Sequence, residues 1–449
     1  MSRNSDVPAE SGDTQTRAHK GIAPIYRHLP RGPHNLNPRE IEAHQRARIH
    51  GAMVEAVARA GYEGVTVRQV IGLAGVSRRS FYEQFANRHD CFLMTARSIA
   101  ARELRRAADA CRSEQAFTGR SLAAALARLA ASAGEQPNAF RLVLGESLSA
   151  GDGGAALLGE VLGACERMIA PALSGEQGAV PPGASVRAMV GSLHGMLAAA
   201  LRERRGPAGE VLAGEMSATA LALRVPSRAG AADELASRLR DRARRAALAA
   251  STRAVAPAEP DDPRERMLRS ALRLAADQPA ACLSGPEIAD GAGVPVDAFL
   301  EAFPNRGECL EAALACSGER LKTIALRAES AAADWPQAVR LGLAGMLGHL
   351  AANPAQARGL ALVAHRAGPA ARSRSAELEV AIGDVLTRGG PRGARAAEAA
   401  AGALWHTVRQ ALIDGRQRLL PAFSDHLAYA VLAPAVGPDA AIAALRGPC

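Results

Sequence analysis

Apolar residues recur along most of the chain at the spacing of three to four residues that places them on one face of an α-helix. Ile49, Met53 and Val57 form such a stripe on a first predicted helix, which begins near Pro38 and is stopped by Gly61. Runs in which β-branched residues alternate with polar ones are nearly absent. The pattern therefore predicts an all-α fold with closely packed helices.

Two short helices joined by a tight turn are predicted next. Thr66 is a suitable N-cap for a helix over 67–73, and Ser77 is a suitable N-cap for a second helix over 78–85. Gly75, between them, can adopt a positive φ without steric cost. The sequence therefore predicts a helix-turn-helix arrangement at this place.

The second of these helices has two faces. Phe81 and Phe85 are four residues apart, so both side chains face the same core. The polar side chains of this helix then project elsewhere, mostly outward: Arg78, Arg79, Tyr82 and Gln84. Longer helices are predicted to follow, over 88–111, 119–134, 137–150, 154–173, 184–204 and 207–223.

The pattern restarts after a linker rich in proline and acidic residues. Residues 284–310 align with residues 66–92 without a gap. The matched pairs are mainly turn residues and predicted core residues: Ala74/Ala292, Gly75/Gly293, Val76/Val294, Phe81/Phe299, Phe85/Phe303, Asn87/Asn305, Arg88/Arg306 and Cys91/Cys309. The chain therefore reads as two copies of one helical unit, roughly 40–225 and 262–436.

The two copies differ in charge. Residues 66–90 carry four arginines and two acidic residues, whereas residues 284–308 carry one arginine and five acidic residues. Arg78 and Arg79 of the first copy correspond to Val296 and Asp297 of the second. Because carboxylates repel a phosphate backbone, we expect the second copy to keep the fold and to have lost contact with nucleic acid.

Composition narrows the class of protein. The net charge of +9 favours a nucleic acid or an anionic surface as partner, although the arginine-rich composition also fits GC-rich coding. The seven cysteines form no CxxC pair, which indicates a reducing compartment. No signal peptide and no apolar run of about 18 residues is evident. We expect a cytoplasmic protein that does not associate with a membrane.

The common motifs of catalytic sites are missing from the sequence. The sequence contains no HExxH, no GxSxG, no P-loop and no GxGxxG in a βαβ setting. We therefore expect no enzyme activity, no cofactor and no metal site. His194, Trp405 and His406 lie on long predicted helices, and they belong either to a core or interface between the copies or to the polar lining of a ligand pocket.

Residues 46–97 resemble the N-terminal DNA-binding domain of the TetR (tetracycline-repressor-like) family. The resemblance is carried by Thr66, the AGVS turn, Phe81-Tyr82, Phe85 and the segment 87–90. It implies two tandem TetR-like units, each with a three-helix helix-turn-helix head and a helical regulatory and dimerisation bundle. A usual family member has about half this length, so a fused pair with one degenerate head departs from the family pattern.

The resemblance also implies roles for individual residues. Thr66 and the start of its helix would contact phosphate, and Arg68 would reach a base or phosphate. Arg78, Arg79 and Ser80 would meet the major groove, while which of the two arginines reads bases stays open. The full set of implied DNA-binding residues is Thr66, Arg68, Ser77, Arg78, Arg79, Ser80, Tyr82, Gln84 and Arg88.

The predicted organisation follows from the pattern and the resemblance. The segments are a disordered arm (1–38), a DNA-binding domain (39–110), a ligand-binding and dimerisation domain (111–225), a charged helix and linker (226–261), a degenerate helix-turn-helix domain (262–330), a second regulatory domain (331–436) and a tail (437–449).

We interpret the chain as a ligand-responsive transcriptional regulator, of the repressor kind, with a double-stranded DNA operator and a small-molecule effector as partners. The copies would form an internal pseudo-dimer through 184–223 and 395–433, or the chain would form a homodimer through the first copy. The alternative interpretation is a helical ligand- or partner-binding scaffold or sensor with little DNA binding.

Overall fold

A computed structural model of the chain describes residues 37–112, 119–173, 183–203, 209–223, 262–278 and 282–446 except 392 and 394, together with five positions between 237 and 245. Within these ranges the regular structure is helical and no strand is present, which confirms the all-α prediction. The predicted arm and most of the predicted linker lie outside the described residues.

The helices of the first half are α1 (Pro38–Gly64), α2 (Val67–Ala74), α3 (Arg78–Tyr82), α4 (Arg88–Arg112), α5 (Gly119–Glu135), α6 (Pro137–Leu144), α7 (Gly151–Leu173), α8 (Gly183–Arg202) and α9 (Gly209–Ala222). Those of the second half are α10 (Pro263–Asp277), α11 (Gly285–Gly291), α12 (Val296–Ala302), α13 (Arg306–Ala331), α14 (Trp335–Ala352), α15 (Pro354–Ala361), α16 (Pro369–Thr387), α17 (Ala396–Ile413), α18 (Ser424–Val436) and α19 (Pro438–Ala444). Short 3-10 turns precede α7, α16 and α18.

Local chemistry fixes the start and the end of the first helices. Asn37 caps α1 through a reciprocal capping box with Glu40. Gly61 interrupts α1 with φ 66°, which ends its regular part at the predicted residue. Gly75 leaves α2 in the left-handed conformation (φ 59°, ψ 40°), as the turn requires.

The first four helices share one core with the helices behind them. Phe81, Phe85 and Phe92 are fully buried beside Ile49 and Met53. Leu142 of α6 and Leu157 of α7 belong to the same cluster. The first three helices therefore pack directly against α4, α6 and α7 and are not a separate domain on a linker.

The second half repeats these local features 218 positions later. Ser284 and Glu287 form the capping box that Thr66 and Gln69 form in the first half. Gly293 has φ 64°, close to the value at its counterpart in the first turn. Phe299 and Phe303 are buried, with ring centroids 5.9 Å apart against 5.5 Å for the first pair. The local geometry thus follows the residues that the two segments share.

The two halves meet along α8 and α17, the most extensively packed pair of helices in the structure. Glycines allow this approach, since a Cβ on Gly195 would lie 2.2 Å from the Glu398 carbonyl oxygen and a Cβ on Gly402 would lie 2.3 Å from the Gly191 carbonyl oxygen. Polar pairs also cross the contact: Arg395 with Glu203 (3.0 Å), His406 Nε2 with Glu166 (3.1 Å) and Ser185 with His426 Nδ1 (3.0 Å).

Some elements differ from the sequence-based expectation. The α-helix predicted over 78–85 ends at Tyr82, and the next three residues continue as hydrogen-bonded turns on Arg79 and Phe81. The helix predicted over 137–150 ends at Leu144. The predicted tail 437–449 contains α19, whose Ala441 and Ile442 are buried, so this part of it packs as an element of the second half.

One segment, Gln417–Val436, is long and apolar enough to cross a membrane by length and composition alone. More than half of its most apolar stretch (56%) is buried inside the protein, as in a core helix. The segment packs against α14 and α17, which accounts for its apolar composition.

Candidate nucleic-acid interface

The short helix α3 is held by its N-terminal end, by the turn before it and by its apolar face. Ser77 accepts the backbone N–H of Ser80 at 3.0 Å, and the two hydroxyl groups of these serines lie 2.9 Å apart. Phe81 is fully buried and anchors the opposite face. The turn before the helix is tied to α1, since Arg48 Nη2 donates to the Gly75 carbonyl oxygen at 3.0 Å. These contacts fix which side chains α3 presents to solvent.

The two adjacent arginines of α3 are both exposed but have different partners. The Arg79 side chain is 88% exposed, and its Nε donates to Glu83 at 2.8 Å. This hydrogen bond, with the negative charge of Glu83, raises the pKa of Arg79. The Arg78 guanidinium lies over the Tyr82 ring, 5.6 Å from its centroid. Tyr82 is 45% exposed, so α3 exposes two guanidinium groups and a phenol to solvent.

The start of α2 presents a second group of predicted residues. Thr66 is exposed; its hydroxyl accepts the Gln69 N–H at 3.3 Å and donates to the Gln69 side chain at 2.9 Å. Arg68 is exposed in the first turn of the helix. Because the first N–H groups of a helix lack internal acceptors, this end favours an anion such as phosphate.

Gln84 lies just after α3 and is half-buried. Its side-chain oxygen accepts from Arg46 Nε at 3.3 Å, and Arg46 also pairs with Glu42 on α1. Sequence reasoning missed the roles of Arg46 and Arg48, which connect α1 to the α2–α3 turn region. The repeat contained a signal for both. Arg266 aligns with Arg48 and donates to the Ala292 carbonyl oxygen in the second turn. Arg264 aligns with Arg46 and donates to the carbonyl oxygen of Ala302, the counterpart of Gln84.

Arg88 has a role that its sequence position did not show. Its Nη1 donates to three backbone carbonyl oxygens at the end of α1: Val65 at 2.8 Å, Glu63 at 3.1 Å and Tyr62 at 3.4 Å. The guanidinium also lies over the Tyr62 ring, 4.6 Å from its centroid. Arg88 therefore braces α4 against the segment before α2, and a phosphate contact through its other N–H groups stays a prediction.

The core behind the interface holds titratable groups in their neutral forms. Burial, and secondarily the charge of Arg46, lowers the pKa of His50 to about 4, and His50 Nδ1 lies 2.7 Å from the Thr95 hydroxyl. Burial raises the pKa of the Cys91 thiol to about 12. These groups belong to the packing of the domain and offer no nucleophile to a ligand. Among the described residues no group of side chains is arranged to hold a metal ion.

The equivalent face of the second half has a different chemistry. Val296 and Leu300 occupy the positions of Arg78 and Tyr82 and are 41% and 57% exposed. Asp297 is exposed at the position of Arg79. The two heads thus share a backbone pattern and present opposite surfaces to solvent.

Comparison with known proteins agrees with the geometry of the first head. Residues 51–94 match the sequence model of the family described as bacterial regulatory proteins, tetR family. The match supports a regulator of the TetR family. The matched span runs from α1 through the α2–α3 turn into α4, so it contains the whole of the exposed basic helix. The chain therefore has a helix-turn-helix domain of the TetR type, which supports a DNA-binding transcriptional regulator.

Other comparisons are weaker. No curated protein matches the chain. Among solved structures, the transcriptional regulator FadR from Bacillus subtilis, in complex with stearoyl-CoA, is 16% identical and aligns over 39% of this chain and 96% of its own, with a TM-score of 0.35. A similarity at that score does not establish a common fold.

Proposed function

We propose that the chain is a ligand-responsive transcriptional repressor whose first head reads the major groove of an operator with the exposed face of α3. In this proposal Arg78, Arg79 and Ser80 meet base edges. The remaining predicted residues, Thr66, Arg68, Ser77, Tyr82, Gln84 and Arg88, contact phosphate or neighbouring bases, or position the helix. The protein acts in the cytoplasm, where its DNA is, and needs no cofactor for binding.

The observation that carries this proposal is the contrast between α3 and α12. Both helices are anchored by a buried pair of phenylalanines, so the fold alone explains the apolar positions of both. The fold does not require arginine at 78 and 79, because Val296 and Asp297 occupy the same positions in the second head. The arginines of α3 are therefore best explained by an anionic partner.

The decisive test removes the two arginines together. We expect the double variant Arg78→Ala, Arg79→Ala to bind selected genomic DNA fragments at least ten-fold more weakly in a gel-shift titration, because each good arginine–guanine pair contributes about 1–3 kcal/mol. The matched control is Arg374→Ala with Arg388→Ala, which removes the same charge from exposed positions on α16 and just after it. Native affinity in the first variant would favour the scaffold interpretation.

We further propose that the two halves form an internal pseudo-dimer. The proposal is supported by the packing of α8 on α17 and of α8 and α9 on α18, which fall in the predicted regions 184–223 and 395–433. One head of the pair would then be degenerate, in keeping with its acidic residues. The predicted boundaries 39–110, 111–225, 262–330 and 331–436 are proposed on the same basis.

Light scattering tests this arrangement. Because the helices proposed for dimerisation already pack on each other within one chain, we expect the mass of a single chain, 46.5 kDa, at micromolar concentration. A single-chain mass would rule out the homodimer, whereas a stable mass of twice that value would favour a homodimer through the first half, whose contact surface would then have to be mapped. A single chain with one working head would read one half-site. Two chains would be needed to read both half-sites of a palindrome.

A further inference from the structure

A cavity of about 380 Å³ lies between the two halves of the chain. One wall comes from α6, α8 and the turn that follows α6; the other comes from α16 and α17. Its volume falls within the range of roughly 300–1,000 Å³ that small-molecule sites occupy. The site exists only where the halves meet, so neither half could form it alone.

Three aromatic side chains that line the cavity carry buried nitrogen atoms without a hydrogen-bond partner. The atoms are Nε1 of Trp405, Nε2 of His365 and both ring nitrogens of His194. Trp405 is almost fully buried, and its indole N–H can only donate. Burial lowers the pKa of His365 to about 3, so its ring is neutral. Because an unpaired buried donor costs roughly 1–3 kcal/mol, an acceptor placed in the cavity is favoured.

The cavity also holds a buried positive charge. Arg409 is buried one helical turn after Trp405 on α17, so the two side chains share a face of the helix. Its guanidinium pairs with Glu379 at 3.9 Å, at the long limit of an ion pair. Burial raises the pKa of Glu379, which favours its neutral form and weakens the pair. A buried guanidinium with so distant a counter-ion attracts an anion.

Leu144, Leu148 and Leu201 give the lining an aliphatic part in one half, and Val380 lies at an exposed edge of the other. Charged side chains line the cavity as well: Arg141, Glu146, Arg202, Arg372, Asp384 and Glu398. We propose that this cavity, which we call the seam cavity, binds a small organic carboxylate with an apolar body. The carboxylate lies against Arg409 and accepts the Trp405 indole N–H, and the apolar body covers the leucines.

The walls of the seam cavity reach the first head directly. Glu146 lines the cavity and accepts the backbone N–H of Tyr62 at 2.9 Å. Arg372 lines it from the second half and pairs with Glu63 at 3.5 Å. Both head residues lie between the kink at Gly61 and the N-cap of α2. We therefore infer that an occupant moves the start of α2, and this part alone rests on the proposed function.

Fluorescence provides a test of the site that needs no DNA. The chain has two tryptophans, so Trp335→Phe leaves Trp405 as the only one. We expect benzoate, 1-naphthoate or octanoate to change the Trp405 emission saturably, with the amide of the same body at least ten-fold weaker. The proposal is overturned if none of the three acids gives a saturable change, or if the amides bind as tightly as the acids.

Variants locate the carboxylate. Arg409→Gln in the same background is expected to abolish the preference for acid over amide, whereas Arg388→Gln, on an exposed arginine outside the cavity, is expected to keep it. Val380→Phe narrows the cavity from an exposed position without disturbing the core and is expected to weaken binding about ten-fold. Unchanged acid binding in Arg409→Gln, with a native circular dichroism spectrum, would overturn the assignment.

Coupling to the head is measured separately. At saturating acid we expect the DNA affinity of the native chain to change at least three-fold, and that of Arg409→Gln to stay constant. Saturable acid binding with unchanged DNA affinity would overturn the coupling through Glu146 and Arg372. If the native chain without acid bound no DNA, the proposed function would be contradicted. The binding of acids measured by Trp405 fluorescence would not be affected by that result.

Discussion

At the scale of single residues, an acidic side chain follows α3 directly, beside its exposed arginines. Glu83 holds Arg79 in an exposed ion pair at 2.8 Å, one turn along the chain. Such an exposed pair contributes little to stability in water, because both groups are well hydrated. The pair uses Nε of Arg79, one of the guanidinium donors that could meet a base or a phosphate. If Arg79 contacts DNA as proposed, Glu83 competes with the nucleic acid for this arginine.

Removing that competitor should tighten binding. We expect Glu83→Gln to raise the affinity for selected DNA about two- to five-fold at low salt, because it frees Arg79 and removes one repulsive charge. The control is Glu55→Gln, which breaks an ion pair of the same spacing with Arg59 on α1. Gel-shift titrations at two salt concentrations measure both variants. Weaker binding by Glu83→Gln would show that the ion pair orients Arg79 for DNA.

At the scale of elements, the second helix of both heads begins with a capping box. Thr66 and Gln69 form a capping box on α2, and Ser284 and Glu287 form one on α11. The device serves the helix in both heads, because it satisfies N–H groups that have no acceptor within the helix. Only the first head presents this helix end beside a basic surface, so only there can the cap also serve DNA.

Cap removal separates the two roles. Thr66→Ala and Ser284→Ala should each lower the free energy of unfolding by about 1 kcal/mol in urea titrations, because each leaves a helix N–H without its acceptor. Thr66→Ala should also weaken DNA binding several-fold, whereas Ser284→Ala should leave it unchanged. If Ser284→Ala weakened DNA binding as strongly as Thr66→Ala, the second head would have to take part in recognition.

At the scale of the whole molecule, the contact between the halves depends on glycine. Gly191, Gly195 and Gly402 let α8 and α17 approach so closely that backbone carbonyl oxygens occupy the space where a Cβ would lie. The seam cavity opens beside this contact, with Gly195 and Gly402 in its lining. The same small residues thus determine both the orientation of the halves and the shape of the space between them.

Adding one methyl group at this contact should lower the stability of the whole molecule. We expect Gly402→Ala to lower the free energy of unfolding by about 1–3 kcal/mol, because the new Cβ would lie 2.3 Å from the Gly191 carbonyl oxygen and forces the helices apart. Gly214→Ala on α9 is the control, since a Cβ there has no neighbour within 4 Å. It should be neutral or slightly stabilising in the same urea titration. Equal stability of both variants would contradict the tight seam.

The amino-acid sequence by itself determined the helices, their caps and the turn glycines, because these depend on residues within one or two helical turns of each other. Thr66, Gly75 and Ser77 took their predicted places for that reason. The pairing of Phe81 with Phe85 followed from helical spacing alone. The end of α3 at Tyr82 could not be predicted in this way. No local signal distinguishes a helix over 78–85 from a shorter helix that is followed by hydrogen-bonded turns.

The tertiary structure decided everything that joins distant parts of the chain. The carbonyl partners of Arg88 lie 23–26 residues away, and no local pattern specifies them. The pairing of Gln84 with Arg46 spans 38 residues. The seam cavity combines residues more than 200 positions apart, Leu144 with Trp405 among them. Such groups meet only once helices have packed, because packing, and not spacing along the chain, sets the direction and the burial of each side chain.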